Sequence, residues 1–182
     1  MNSPPHAHGL GTAADPSDLT HRFDGDSVSR ALDLVGERWT MLILREAFFG
    51  VRRYGQLARN LNIPRPTLST RLRKLVDVGL LDRVQYADDP ERFEYRLTTA
   101  GRELFGAIVV LMRWGDTHLA GPEGPPIVLT HANCGRVTRP KLTCDVCGEE
   151  IAINNVTPSR GPGFLDAGPE PHDAPAHPER NS

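Results

Sequence analysis

The chain has 182 residues, of which 38% are hydrophobic, so it can form one domain with a buried core and still carry extensions. Its formal net charge of −2 excludes a uniformly basic protein, so the total charge does not indicate whether the chain binds nucleic acid. No apolar run approaches the ~20 residues of a membrane-spanning helix, and the N-terminus lacks the basic and apolar regions of a signal peptide. We therefore expect a cytoplasmic protein.

Charge is distributed unevenly along the chain. Residues 27–118 carry 15 basic and 11 acidic side chains, a net of +4, whereas residues 1–26 and 119–182 each carry a net of −3. Within the basic region, the 25 residues Arg52–Val76 contain seven basic side chains and no acidic one. A solvated helix face normally mixes both signs. The run therefore predicts a surface that meets phosphate.

The two ends of the chain are rich in proline and show no hydrophobic periodicity. We predict that residues 1–26 form a disordered arm and that residues 158–182 form a disordered, proline-rich tail. The Gly/Pro-rich linker 121–126 separates a larger ordered unit, residues 27–120, from a smaller one, residues 127–157.

Hydrophobic periodicity in the larger unit predicts five helices and a two-stranded hairpin. The second helix is apolar on most sides and is expected to be the buried one. In the fourth helix, apolar residues recur at the spacing of an inward face, and hydroxyl and basic residues occupy the opposite face. The predicted helices are Ser27–Val35, Arg38–Phe49, Tyr54–Leu61, Pro66–Val78 and Thr99–His118, and the predicted strands are Leu81–Tyr86 and Phe93–Leu97.

This order of elements predicts a mainly α (α+β) fold, the winged helix-turn-helix with a two-stranded wing. The recognition helix Pro66–Val78 is expected in the major groove, which is about 12 Å wide. The wing Ala87–Arg92 is expected on the adjacent minor groove or backbone. The predicted DNA-contacting residues are Arg52, Arg53, Arg65, Thr67, Ser69, Thr70, Arg71, Arg73, Lys74 and Arg92.

Four segments resemble, in the right order, motifs of the HxlR-type transcriptional regulators. The resemblance covers about residues 27–118. Gly36–Arg45 is similar to G-G-K-W-T-L-x-I-L-R, Arg53–Leu57 to R-F-x-E-L, Leu68–Leu75 to L-S-x-R-L-x-x-L, and Glu94–Gly101 to E-Y-x-L-T-x-x-G.

The resemblance implies a bacterial or archaeal, sequence-specific DNA-binding transcriptional regulator, with repression as the favoured role. It also implies a homodimer whose interface is formed by the first helix, Ser27–Val35, and the last helix, Thr99–His118. Several members of this family sense oxidants with a cysteine just before the first helix, where this chain has Asp26. That mechanism is therefore not expected here.

All three cysteines lie in the smaller unit, and two short motifs there have the same spacing. His131 and Cys134 form one pair and Cys144 and Cys147 the other, each with two intervening residues and a following glycine. Zinc takes four nitrogen or sulfur ligands in a tetrahedron. The unit has too few apolar residues for its own core, so a metal would supply folding energy. We predict a structural Zn²⁺ bound by all four residues.

Other interpretations remain open. Cys144 and Cys147 could act as a dithiol that senses oxidants or metal stress, or the thiols could have no ligand or redox role. A protein-interaction module with an inactive winged helix is a further alternative. An enzyme is disfavoured because four protein ligands would close the zinc sphere, and no nucleophile and base are paired elsewhere. The residues do not identify a small-molecule effector.

Overall fold

The computed structural model describes residues 26–88 and 90–159, and those up to Ile153 belong to one compact unit. The predicted arm 1–26 and tail 158–182 lie almost wholly outside the described residues. Among the described helices, none is long and apolar enough to cross a membrane. The elements are α1 (Ser27–Val35), α2 (Arg38–Phe48), α3 (Tyr54–Leu61), α4 (Arg65–Asp77), β1 (Leu81–Asp88), β2 (Glu91–Leu97), α5 (Thr99–Glu103), α6 (Phe105–His118), β3 (Leu129–His131) and β4 (Arg136–Thr138).

The core lies where α2, α3 and α4 pack together beneath the β1–β2 hairpin. The predicted inward face of α4 is confirmed, because Leu68, Leu72 and Leu75 are each no more than 1% exposed. Ile43 and Leu44 of α2 are fully buried against them. The predicted winged helix-turn-helix is confirmed, with each of the first four helices within one residue of its predicted bounds.

Side-chain caps define where three of the helices begin. Asp26 Oδ1 accepts hydrogen bonds from the backbone N–H groups at the start of α1. Glu37 Oε2 accepts from Trp39 N at 2.9 Å and Thr40 N at 3.1 Å at the start of α2. Thr98 Oγ1 accepts from the N–H of Gly101 at the start of α5. These contacts satisfy backbone donors that a helix leaves unpaired at its first turn.

The wing is longer in its strands and shorter in its loop than predicted. Antiparallel pairing continues to Ala87 with Arg92 and Asp88 with Glu91, across a register shift between Gln85 and Ala87. The predicted strands Leu81–Tyr86 and Phe93–Leu97 were therefore two residues too short at the hairpin end. A bulge accommodates an extra residue in a strand, which the alternation of side chains does not reveal.

The predicted single helix Thr99–His118 is divided at Leu104 into α5 and α6. The first of the two, α5, begins against the turn that precedes β1, where Thr98 N donates to the carbonyl of Leu80. A Cβ placed on Gly101 would lie 2.2 Å from the carbonyl oxygen of Leu80. Only glycine permits this approach. The contact fixes one helical turn beside Leu80 before α6 begins.

Candidate nucleic-acid interface

The helix-turn-helix is braced by a buried carboxylate. Glu46 in α2 is only 7% exposed. Its Oε2 accepts a hydrogen bond of 2.8 Å from Nδ2 of Asn60 in α3, and its Oε1 accepts one of 2.8 Å from Arg45. A buried charge is tolerated when it is paired and hydrogen-bonded in this way. Between α3 and α4, Asn62 adopts φ +48°, which turns the chain toward α4.

The solvent face of α4 carries most of the predicted readers. Ser69 and Arg73 are exposed, and Thr67 is half-buried. The phenol of Tyr54 in α3 donates to the carbonyl of Arg65 at 3.0 Å and lies 3.1 Å from Ser69 Oγ. Tyr54, which the sequence analysis did not single out, therefore joins the first turns of α3 and α4 at the exposed face.

Two predicted DNA contacts of α4 are turned toward α1 and α2 instead. Arg71 Nε lies 3.2 Å from Glu37 Oε2, although its N–H is poorly aligned, so the contact is an ion pair and not a good hydrogen bond. Lys74 Nζ donates at 2.8 Å to the carbonyl of Asp33 near the end of α1. Both residues are half-buried. They hold α4 in place relative to the N-terminal helices.

The segment before α3 is attached to the wing. Tyr95 N donates to the carbonyl of Arg52 at 2.8 Å, and Arg53 forms an antiparallel bridge with Glu94. The Arg53 guanidinium lies 4.7 Å from the ring centroid of Tyr86. The side chains of Arg52 and Arg53 are exposed. Two predicted phosphate contacts therefore share one surface with the wing.

A cavity of about 430 Å³ lies between α4 and the wing. It contains Arg83, an exposed residue of β1 that the sequence analysis missed. Arg83 is opposite Tyr95 in the β1–β2 register, and its guanidinium stacks on the ring of Phe93. The sequence signal that could have identified Arg83 is the alternation of side chains along β1. This alternation puts Arg83 and its neighbour Asp82 on opposite faces of the strand. The cavity is lined by Ser69, Arg73, Val76, Asp77, Arg83 and Tyr95.

The predicted metal ligands lie as two pairs in residues 131–147. Cys134 Sγ is 3.4 Å from His131 Nδ1. Hydrogen bonds from the backbone N–H of Cys147 and then of Val146 lower the pKa of the Cys144 thiol. Within residues 26–88 and 90–159, no three His, Cys, Asp or Glu side chains are grouped closely enough to hold a metal ion. The two pairs are therefore formed, but they do not meet.

A braced helix-turn-helix with an exposed basic face and an attached wing defines a winged-helix DNA-binding protein. The profile of the HxlR-like helix-turn-helix family matches residues 34–122. Over 148 residues the chain is 72% identical to the uncharacterised HTH-type transcriptional regulator Rv3095 of Mycobacterium tuberculosis, covering 81% of this chain and 94% of that protein. The chain belongs to the HxlR-like helix-turn-helix family. It is a DNA-binding transcriptional regulator and not an enzyme.

One further regulator and two solved structures are also similar to this chain. The HTH-type transcriptional regulator YtcD of Bacillus subtilis is 34% identical over 94 residues, which are 51% of this chain and 75% of that protein. The structure of PA1607, a candidate transcription factor, is similar with a TM-score of 0.68 and 32% identity, covering 76% of this chain and 96% of that one. PA1374 of Pseudomonas aeruginosa gives a TM-score of 0.55, 32% identity and coverages of 75% and 93%.

Proposed function

We propose that the protein is a repressor that binds a two-fold symmetric DNA operator as a homodimer, with α4 in the major groove and the wing on the adjacent minor groove or backbone. The observation that carries this proposal is the cavity between α4 and the wing. Two exposed basic residues, Arg73 of α4 and Arg83 of β1, line it together with one acidic residue, Asp77. Cations on two elements around one groove suit a phosphate backbone that passes between them.

The contacts divide the predicted residues by role. Ser69 and Arg73 are candidate base readers because both are exposed on α4, and Thr67, half-buried near its N-terminus, is the third. Thr70 is less suited to reading bases, since its hydroxyl donates to the carbonyl of Pro66 in its own helix. Arg71 is a positioning residue that acts through its ion pair with Glu37.

The remaining basic residues are proposed to hold the phosphate backbone. Their exposed cationic ends can contact phosphates without reading sequence. Lys74 reaches phosphate only if it releases the carbonyl of Asp33. The proposed backbone contacts are Arg52, Arg53, Arg65, Arg83 and Arg92, all exposed.

Exposed apolar residues on α1 and α6 support the predicted dimer. In α1, Val28 is 66% and Leu32 57% exposed, and in α6, Leu111 is 58% and Trp114 54% exposed. Large apolar side chains clustered on the surface mark an interaction site. A two-fold dimer would present two copies of α4 to half-sites about one helical turn apart.

The operator can be selected from a random duplex pool and its affinity measured by fluorescence anisotropy. Arg73→Ala should weaken binding to the selected site by about 1–3 kcal/mol if Arg73 reads a base. Arg136→Ala removes the same charge from an exposed site in β4 and serves as the matched control. The affinity of the parent protein should also fall steeply with salt. Failure to enrich any sequence, together with no binding at low salt, would exclude the proposal.

Dimerisation has its own test. Leu111→Glu puts a charge on the exposed apolar face of α6, and sedimentation equilibrium should then report monomers. Gln56→Glu puts the same charge on an exposed position of α3, outside both predicted interface helices, and should leave the dimer unchanged. A parent protein that sediments as a monomer at micromolar concentration would exclude the homodimer and leave the DNA-binding surface of α4 unaffected.

A further inference from the structure

The C-terminal segment contains the same turn twice. Gly135 N donates to the carbonyl of His131 at 2.8 Å, and Gly148 N donates to the carbonyl of Cys144 at 2.8 Å. Both glycines have positive φ, +66° and +75°. Each turn therefore brings residues i and i+3 to one side of a tight loop, and in both turns these residues are metal-ligating types.

Each turn is also closed by antiparallel pairing. His131 pairs with Arg136 as β3 meets β4, and Thr143 bridges to Glu150. In the second turn, Cys144 N also donates to the carbonyl of Glu149 at 2.8 Å. Backbone hydrogen bonds therefore hold both turns closed.

No apolar core holds this segment together. None of residues 119–159 is buried, and Val137, Val146 and Ile153 are 64%, 89% and 96% exposed. Small units of this size need another source of stability, and a structural metal is one of the few available. Both turns are therefore paired through their backbones, but no buried apolar side chains stabilise that pairing.

We propose that His131, Cys134, Cys144 and Cys147 bind one zinc ion. Three thiolates and one imidazole form a tetrahedral zinc set with no open position, which is the composition of a structural site. Residues 135–143, between the two pairs, give the turns enough chain to face each other. Zinc–sulfur bonds of about 2.3 Å would draw together the two pairs that now stand apart. The ion would link the turns in place of a core.

The experiment uses the full-length protein and cobalt as a spectroscopic substitute for zinc. We expect one zinc per chain by elemental analysis after purification without chelator. The cobalt-loaded protein should show the intense visible absorption of a tetrahedral ion together with thiolate-to-cobalt charge transfer. Cys144→Ser should weaken metal binding by more than the ~10–100-fold that loss of an outer-shell partner costs.

Two further variants keep the test decisive. His131→Cys should retain the metal and shift the cobalt spectrum to that of four thiolates, an outcome that a purely structural role for His131 would not give. His118→Ala, at the end of α6, is the control and should leave stoichiometry and spectrum unchanged. Because the four ligands lie outside the helical core, all variants should keep the parent's far-ultraviolet circular dichroism. A parent chain that holds no zinc and gives no tetrahedral cobalt spectrum would overturn the proposal.

Discussion

The helical region and the C-terminal hairpins are ordered by different physical means. In residues 26–118, α2, α3 and α4 meet in a core whose central leucines are at most 1% exposed. In residues 119–153, no residue is buried, and the structure consists of turns and short strand pairs. The first region is held by apolar burial and the second by local hydrogen bonds. Substitutions should therefore have very different effects in the two.

The largest expected difference comes from truncating one apolar side chain in each region. Leu72→Ala removes a side chain that is 1% exposed and should cost ~2–5 kcal/mol of unfolding free energy. Val137→Ala, in β4, removes a side chain that is 64% exposed and should change it by no more than ~0.5 kcal/mol. Urea unfolding followed by circular dichroism measures both. Equal losses would mean that the hairpin segment has a core of its own.

A second comparison concerns close backbone approach. Gly101→Ala brings a methyl group to 2.2 Å from the Leu80 carbonyl and should destabilise the helical region by about 1–3 kcal/mol. Gly106→Ala, in α6, meets nothing within 4 Å and should be neutral or stabilising by about 0.4–1 kcal/mol. The melting temperatures of the two variants test this. If both substitutions lower it equally, the contact of α5 with Leu80 is not the reason for the glycine.

Within the helical region, two arginines of α4 allow a comparison between a residue that holds the helix in place and a residue proposed to read DNA bases. Arg71→Ala removes a partly exposed ion pair and should lower stability by about 0.5–1 kcal/mol. Arg73→Ala should leave stability unchanged, because its side chain is exposed, and should weaken DNA binding instead. Urea unfolding and anisotropy, measured on the same two proteins, separate these effects. A parent-like urea midpoint for Arg71→Ala would exclude a positioning role.

The smallest expected effect lies in the hairpin segment, where Lys141 is hydrogen-bonded to Glu150. This bond lowers the pKa of the Glu150 carboxyl below its ordinary value. The interaction therefore contributes at pH values above the ordinary pKa and is lost as pH falls through the lowered one. Lys141→Gln should return the pKa of Glu150 toward its ordinary value, as followed by carboxyl NMR titration. The melting temperature of the helical region should not change.

Apolar periodicity predicted the part of the fold that burial decides. The stripe Leu68, Leu72 and Leu75 identified α4 and its inward face, because the buried positions of a packed helix recur at spacings of three and four residues. The break at Leu104 was missed, and so was the close contact between Gly101 and Leu80 beside it. Such a contact joins residues that are distant in sequence, and periodicity within one helix carries no record of it.

The candidate interface was predictable only in part for the same reason. The sequence identified the basic face of α4 from the acid-free run Arg52–Val76. It did not reveal that Arg71 turns toward Glu37, 34 positions earlier, or that Arg83 joins Arg73 at one cavity. For the metal ligands, spacing indicated each pair, since residues i and i+3 are local. Whether the pairs meet depends on how two turns pack.

The hydrogen bond from Tyr95 N to the carbonyl of Arg52 bears on the association rate and the heat-capacity change of DNA binding. It joins the wing to the residue just before the helix-turn-helix. In the proposed mode of DNA binding, the wing strands should therefore not need to order on contact, which avoids the entropic cost of coupled folding. The heat-capacity change should then reflect only the surface buried at the interface. Association should be limited by electrostatic encounter and not by folding.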